Sequence, residues 1–185
     1  MLPSIVLCVI IKDTKKSKEK DAECFMNLKL TATALLTKAL SFAAQKLGGG
    51  TDRPGSIALK LYPQVLKALK YDGKIIAVTG SNGKTTTSNL IAHVLREQGY
   101  KVVNNAKGSN LTSGIATTLL CGADLSGRIK ADYIVLEVDE CYSRFIFEDV
   151  PVDYYLALNL LSCCGNRFPV QILPFKAFPY PLHQR

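Results

Sequence analysis

An apolar, β-branched run, Lys74-Ile75-Ile76-Ala77-Val78, leads directly into Thr79-Gly80-Ser81-Asn82-Gly83-Lys84-Thr85-Thr86-Thr87. Ser88-Asn89-Leu90-Ile91-Ala92-His93-Val94-Leu95 follows at helical spacing. The order is a buried strand, a glycine loop and a helix. That order builds a phosphate-binding loop: the glycines let the backbone approach the phosphate oxygens, and N–H groups at the helix N-terminus point at them with the helix dipole behind. Gly80, Ser81, Asn82, Gly83, Lys84, Thr85 and Thr86 are therefore the expected nucleotide-binding residues. Lys84 is placed to neutralise the β- and γ-phosphates, and the Thr85 hydroxyl to ligate Mg²⁺.

The general phosphate-loop pattern asks for a glycine five residues before Gly83, where this chain has Val78. The variant Gly80-x-x-Gly83-Lys84-Thr85, preceded by Val-Thr and carrying Asn82, resembles the ATP-binding loop of the Mur ligase family. Members of that family join amino acids or ammonia to carboxylates.

A second cluster fits the same site. Asp132-Tyr133-Ile134-Val135-Leu136-Glu137-Val138 reads as a strand that ends in the acids Glu137, Asp139 and Glu140. In a parallel sheet its end and the phosphate loop share one edge. Mg²⁺ takes one or two carboxylates beside hydroxyl, water and phosphate oxygens, and Glu137 is the expected carboxylate, directly or through water. Two more strands are expected, at Tyr100–Asn104 and Val152–Leu160, with a loop at Asn105–Asn110 and a helix at Leu111–Leu120. Strands alternating with helices imply an α/β fold with a mostly parallel sheet and helices on both faces.

The N-terminal lead-in has a different character. From Met26 to Leu47 the leucines, alanines and Phe42 recur at three- and four-residue spacing with Lys29, Lys38 and Lys46 and no acidic residue. This amphipathic helix either packs on its own domain or lies on a membrane surface. Gly48-Gly49-Gly50 and Arg53-Pro54-Gly55 are expected to break the chain, and a short helix to follow at Pro63–Lys70. Residues 26–74 hold eight Lys/Arg against two Asp/Glu, whereas residues 75–160 hold seven against nine, so the basic character belongs to the lead-in and not to the core. Without tryptophan, and with scattered tyrosines, nothing resembles a stacking surface for nucleic acid. The six cysteines form no C-x-x-C pair and accompany no secretory signal, which fits a cytoplasmic protein with reduced thiols, soluble or peripheral to the inner membrane face.

The expected divisions are an extension at 1–25, the helix and linker at 26–72, a partial Mur ligase central domain at 73–160, and a proline-rich tail at 161–185. The tail carries four prolines and no acidic residue, and reads as out-of-frame sequence. With Asn104-Asn105-Ala106-Lys107-Gly108-Ser109-Asn110 and Leu136-Glu137-Val138-Asp139-Glu140 added, the chain is similar to the MurT-type branch of the Mur ligases from about Met26 to Leu160. That resemblance implies ATP-dependent amidation, with ammonia, of D-glutamate in lipid II through an acyl phosphate. It also implies a glutaminase partner of GatD type, catalytic roles for Lys84 and Glu137, and a substrate or transferred-phosphate contact at Gly108, Ser109 and Asn110. A chain without the family's C-terminal domain is expected to bind nucleotide weakly and to have no turnover alone. Two other readings remain open: a fragment limited to nucleotide binding or subunit interaction, and another Mur-fold ligase such as folylpolyglutamate synthase.

Overall fold

The computed structural model describes residues 26–46 and 52–158. Its centre is a four-stranded parallel sheet built from β2 (Lys74–Thr79), β3 (Val102–Asn104), β5 (Tyr133–Glu137) and β6 (Tyr154–Ala157), in the order β3-β5-β2-β6. A two-residue parallel pair, β1 (Lys70–Tyr71) with β4 (Arg128–Ile129), forms a second small sheet. The helices are α1 (26–46), α2 (Asp52–Leu61), α3 (Val65–Ala68), α4 (Lys84–Glu97), α5 (Thr112–Gly122) and α6 (Ser143–Asp149). The α/β class and the parallel sheet covered on both faces match the sequence reading.

Side chains alternate across a strand, so β2 and β5 each feed two layers. Ile75, Ala77, Ile134 and Leu136 enter one large cluster with Leu30 and Ala34 of α1, Ala58 of α2, Leu66 of α3, Ile115 and Leu119 of α5, and Ile146 of α6. Val78 and Val135 point the other way, onto Ala92 of α4, with Ile76, Ile91 and Leu95 partly covered beside them. Each fully buried leucine or isoleucine contributes about 1.5–3 kcal/mol by leaving water, so the first layer holds most of the stability.

α1 packs on its own domain through Leu30, Thr33, Ala34, Thr37 and Ser41. Its buried threonines are satisfied locally, Thr33 and Thr37 donating to the carbonyls of Lys29 and Thr33 at 2.8 and 2.7 Å. The opposite side of α1 leaves Leu28, Leu35 and Phe42 exposed.

Several elements depart from expectation. Arg53-Pro54-Gly55 lies inside α2 rather than in a break. Proline is tolerated in a first turn, where its missing N–H has no intrahelical partner in any case. The helix expected at Pro63–Lys70 shrinks to α3, because Lys70 pairs with Arg128 in β1–β4. α6 fills a stretch that carried no helical signal, and β6 is shorter than the expected Val152–Leu160 run. The extension at 1–25, the triple glycine, Asn159, Leu160 and the tail lie outside the described residues.

Candidate functional site

Gly80 follows β2 with φ +139°, and a Cβ there would sit 2.6 Å from the Leu158 carbonyl oxygen. Only glycine fits that crowded position while keeping its backbone angle. Gly83, left-handed at φ 80°, starts α4 without a side-chain cap, and the first turn carries no acid. The leading N–H groups of a helix have no intrahelical acceptors, and here they open beside Lys84, the residues an anion would meet first. Thr85 and Thr86 are exposed at this end, while Ser88, one turn on, is buried.

Strand order brings the acids in. β5 lies directly beside β2 with Val78 opposite Glu137, so this carboxylate reaches the phosphate-loop edge on the α4 face. Glu137 is 2% exposed; its Oε1 receives the Asn110 amide at 3.4 Å, and its Oε2 has no hydrogen-bond partner. A buried carboxylate oxygen with no donor is costly. A Cβ on Gly108 would lie 3.5 Å from Thr85 Oγ1 and 3.7 Å from Glu137 Oε2, so the two oxygens border one small gap. A hydroxyl and a carboxylate around a gap fit Mg²⁺, which fills its remaining positions with water and phosphate oxygens. Among the described residues no group of three or more His, Cys, Asp or Glu could hold a metal unaided, so the donor set suits a cation shared with a phosphate and not a protein-only site.

The 105–110 loop is fixed to β5 by a residue that the sequence did not single out. Asn105, 5% exposed, accepts the Glu137 N–H at 2.8 Å and donates to the Glu137 carbonyl at 2.8 Å and the Ser109 carbonyl at 2.9 Å. It thereby does for Glu137 what a neighbouring strand would do. Asn104 and Asn89 link the same segment to α4, the Asn104 amide donating to Asn89 at 2.9 Å and the Asn89 amide to the Ala106 carbonyl at 3.1 Å. An Asn-Asn pair after a strand is the only trace of this arrangement in the sequence.

The three acids of the β5 end do different things. Asp139 accepts the Cys141 N–H at 3.0 Å and shapes the turn. Glu140 is 3.2 Å from the Lys84 ammonium, with side chains 13% (Lys84) and 18% (Glu140) exposed. Lys84 also donates to the Gly80 carbonyl. The Tyr155 phenol has a raised pKa, first through burial and in lesser part through the Glu140 charge.

All the residues expected from sequence therefore converge on one edge: Gly80–Thr86, Gly108–Asn110 and Glu137. His93 is exposed on α4, away from the acids. A groove of about 460 Å³ lined by Lys74, Tyr100, Lys101, Lys130 and Tyr133 opens at the opposite edge and contains none of the expected site residues. Ligands of open parallel sheets bind at the strands' C-terminal ends, which sets that groove aside. No helix among the described residues is long and apolar enough to cross a membrane.

Comparison with known proteins agrees with the geometry. Residues 78–144 match the Mur ligase middle domain. The chain is 34% identical over 143 residues to the MurT subunit of lipid II isoglutaminyl synthase (glutamine-hydrolyzing) from Streptococcus pneumoniae, covering 77% of this chain and 32% of that protein. With the Staphylococcus aureus (strain N315) MurT subunit the identity is 36% over 135 residues, covering 72% and 30%. A UDP-N-acetylmuramoylalanine–D-glutamate ligase from Desulfovibrio desulfuricans matches at 42% over 64 residues, covering 35% of this chain and 13% of that protein. The chain spans about a third of the length of the MurT relatives it matches. With its glycine loop at the head of α4, its acid-tipped neighbouring strand and the match across residues 78–144, this part of the chain belongs to the Mur ligase middle-domain family.

Proposed function

We propose that this chain supplies the nucleotide end of an ATP-dependent amide-forming ligase of peptidoglycan synthesis. The observation that carries the reading is the meeting of the α4 N-terminus, Thr85 and the unpartnered Glu137 Oε2 around Gly108. Backbone N–H groups of the loop and Lys84 would hold the phosphates of ATP, and Thr85 with Glu137 would hold Mg²⁺. When bound, the ion neutralises charge that builds on the phosphates as the γ-phosphoryl moves. The chain's own work is positioning and electrostatic stabilisation, because phosphoryl transfer asks little covalent chemistry of a protein.

By similarity to the MurT subunits, the carboxylate to be activated is that of D-glutamate in lipid II, and the amide nitrogen comes as ammonia from a glutaminase partner of GatD type. Gly108 borders the gap between Thr85 and Glu137, and Asn110 donates to Glu137 Oε1; with Ser109 between them, these residues would contact the substrate or the transferred phosphate. A lipid-linked substrate also gives a role to the exposed apolar side of α1, which would rest on the inner face of the membrane through Leu28, Leu35 and Phe42. Calorimetric titration of ATP with Mg²⁺ into the wild type and Lys84→Ala tests the core of the reading. A loss of affinity of at least about tenfold is expected, since a charge-assisted phosphate contact is removed. Equal affinity in the two would sink the assignment.

A further inference from the structure

The sequence presents Glu137, Asp139 and Glu140 as one acidic cluster, but the structure separates Glu140 from the other two. Glu137 faces the Gly108 gap beside Thr85, and Asp139 is committed to the Cys141 N–H. Glu140 alone reaches Lys84, at 3.2 Å, where both side chains are mostly withdrawn from water. Its own backbone is held by Ser143, whose hydroxyl donates to the Glu140 carbonyl at 3.0 Å. Lys84 meanwhile bends back to the Gly80 carbonyl, in a loop whose shape is set by the close approach of Leu158. The ammonium thus has two acceptors inside the protein at the place where phosphate oxygens would arrive.

We propose that Glu140 is an internal counter-ion for Lys84, a positioning residue that sets how tightly the loop grips polyphosphate. The inference rests on the nucleotide-binding reading of the loop. A phosphate that takes Lys84 must first break its pair with Glu140, and it then lies near a carboxylate left without its cation. Both effects weaken binding, and at partial burial neither is fully screened. After the γ-phosphoryl has been transferred, the same carboxylate draws Lys84 back from the remaining diphosphate and favours its release. Glu137 has the opposite effect, because its charge is cancelled by a cation that arrives with the nucleotide.

The test is calorimetric titration of Mg²⁺-ATP, Mg²⁺-ADP and adenosine into the wild-type chain and Glu140→Gln at low and at high salt. The expected result is ATP binding tighter by about three- to tenfold in the variant, within the range of partly buried ion pairs. The gain should be smaller for ADP, absent for adenosine, and reduced by salt. A purely structural role for Glu140 would move all three ligands together. Glutamine nearly matches glutamate in size, and thermal unfolding of the ligand-free variant checks that it folds; should it not, Glu140→Ser with the same ligand series decides the matter. ATP bound equally or more weakly by the variant overturns the counter-ion role while leaving the nucleotide reading intact. Binding by neither chain overturns both.

Discussion

On the α5 face, the sheet presents Ile75, Ala77, Ile134 and Leu136 to a continuous cluster drawn from five helices, whereas on the α4 face it presents Val78 and Val135 to Ala92 and a fringe of half-covered side chains. The side chains proposed to meet nucleotide and cation, Lys84, Thr85 and Glu137, lie at the edge of the second, thinner layer. The deep layer holds the strands in place; the thin one ties α4 to the sheet through a few side chains and leaves the glycine loop ahead of it at the surface. Stability and chemistry are thus carried by different sides of the same two strands.

The largest expected effect on stability lies in the deep layer. Leu119 is fully buried, and Leu119→Ala should cost about 2–5 kcal/mol in urea unfolding, through lost burial and the cavity it leaves. ATP affinity of the protein that remains folded should be unchanged. Next comes Asn105→Ala, which strands the Glu137 backbone N–H and carbonyl in a buried place. A cost of about 1–3 kcal/mol is expected, together with loss of the Mg²⁺-dependent part of ATP affinity, because Glu137 is no longer held. This change alone should affect both properties, since Asn105 bridges the sheet and the site.

Val135→Ala, in the thin layer, should cost about 1–2 kcal/mol. A cost matching that of Leu119→Ala would break the contrast between the two faces. The smallest effect is expected at Tyr71, whose phenol donates to the Leu66 carbonyl at 2.7 Å. Burial, and secondarily the charge of Asp149, raise its pKa above the ordinary value. The folded state therefore favours the neutral phenol. Its contribution is complete below the unfolded pKa of about 10 and is lost as pH rises beyond that. Tyr71→Phe should cost about 1 kcal/mol at neutral pH, and the gap between wild type and variant should close between about pH 10 and 11 in unfolding measurements.

Sequence reading found what is local. β2, the phosphate loop and α4 are contiguous, and each part carries its own signal: β-branched residues, glycines, helical spacing. Glu137 was legible because a strand ending in acids can be read without knowing its neighbours. The partnership of Asn105 with Glu137 spans 32 residues and that of Lys84 with Glu140 spans 56; neither leaves a periodicity. α2 was hidden by Pro54 and Gly55, which mark a break in isolation. Here they sit in a first turn where the helix runs against α5, and a Cβ on Gly55 would lie 1.8 Å from the Ser113 carbonyl oxygen. α6 was hidden by its shortness and by exposed Phe145, which blurs any apolar face.

The position of β5 between β3 and β2 bears on the order in which the protein assembles. β2, α4 and β3 precede β5 along the chain, but β2 and β3 are not neighbours and have no ladder to form with each other. Until β5 enters the gap, the phosphate loop has a helix behind it and no acid beside it. Closing that gap requires long-range contacts whose loop entropy must be met before any pairing is gained, a slow kind of step. One insertion then joins β3 to β2 and delivers Glu137 and Glu140 to the loop together, with β6 left to add on the far side of β2. A refolding chain should therefore acquire its Mg²⁺-dependent nucleotide binding in the same kinetic phase as its sheet, which makes the ligand a reporter for the docking of a single strand.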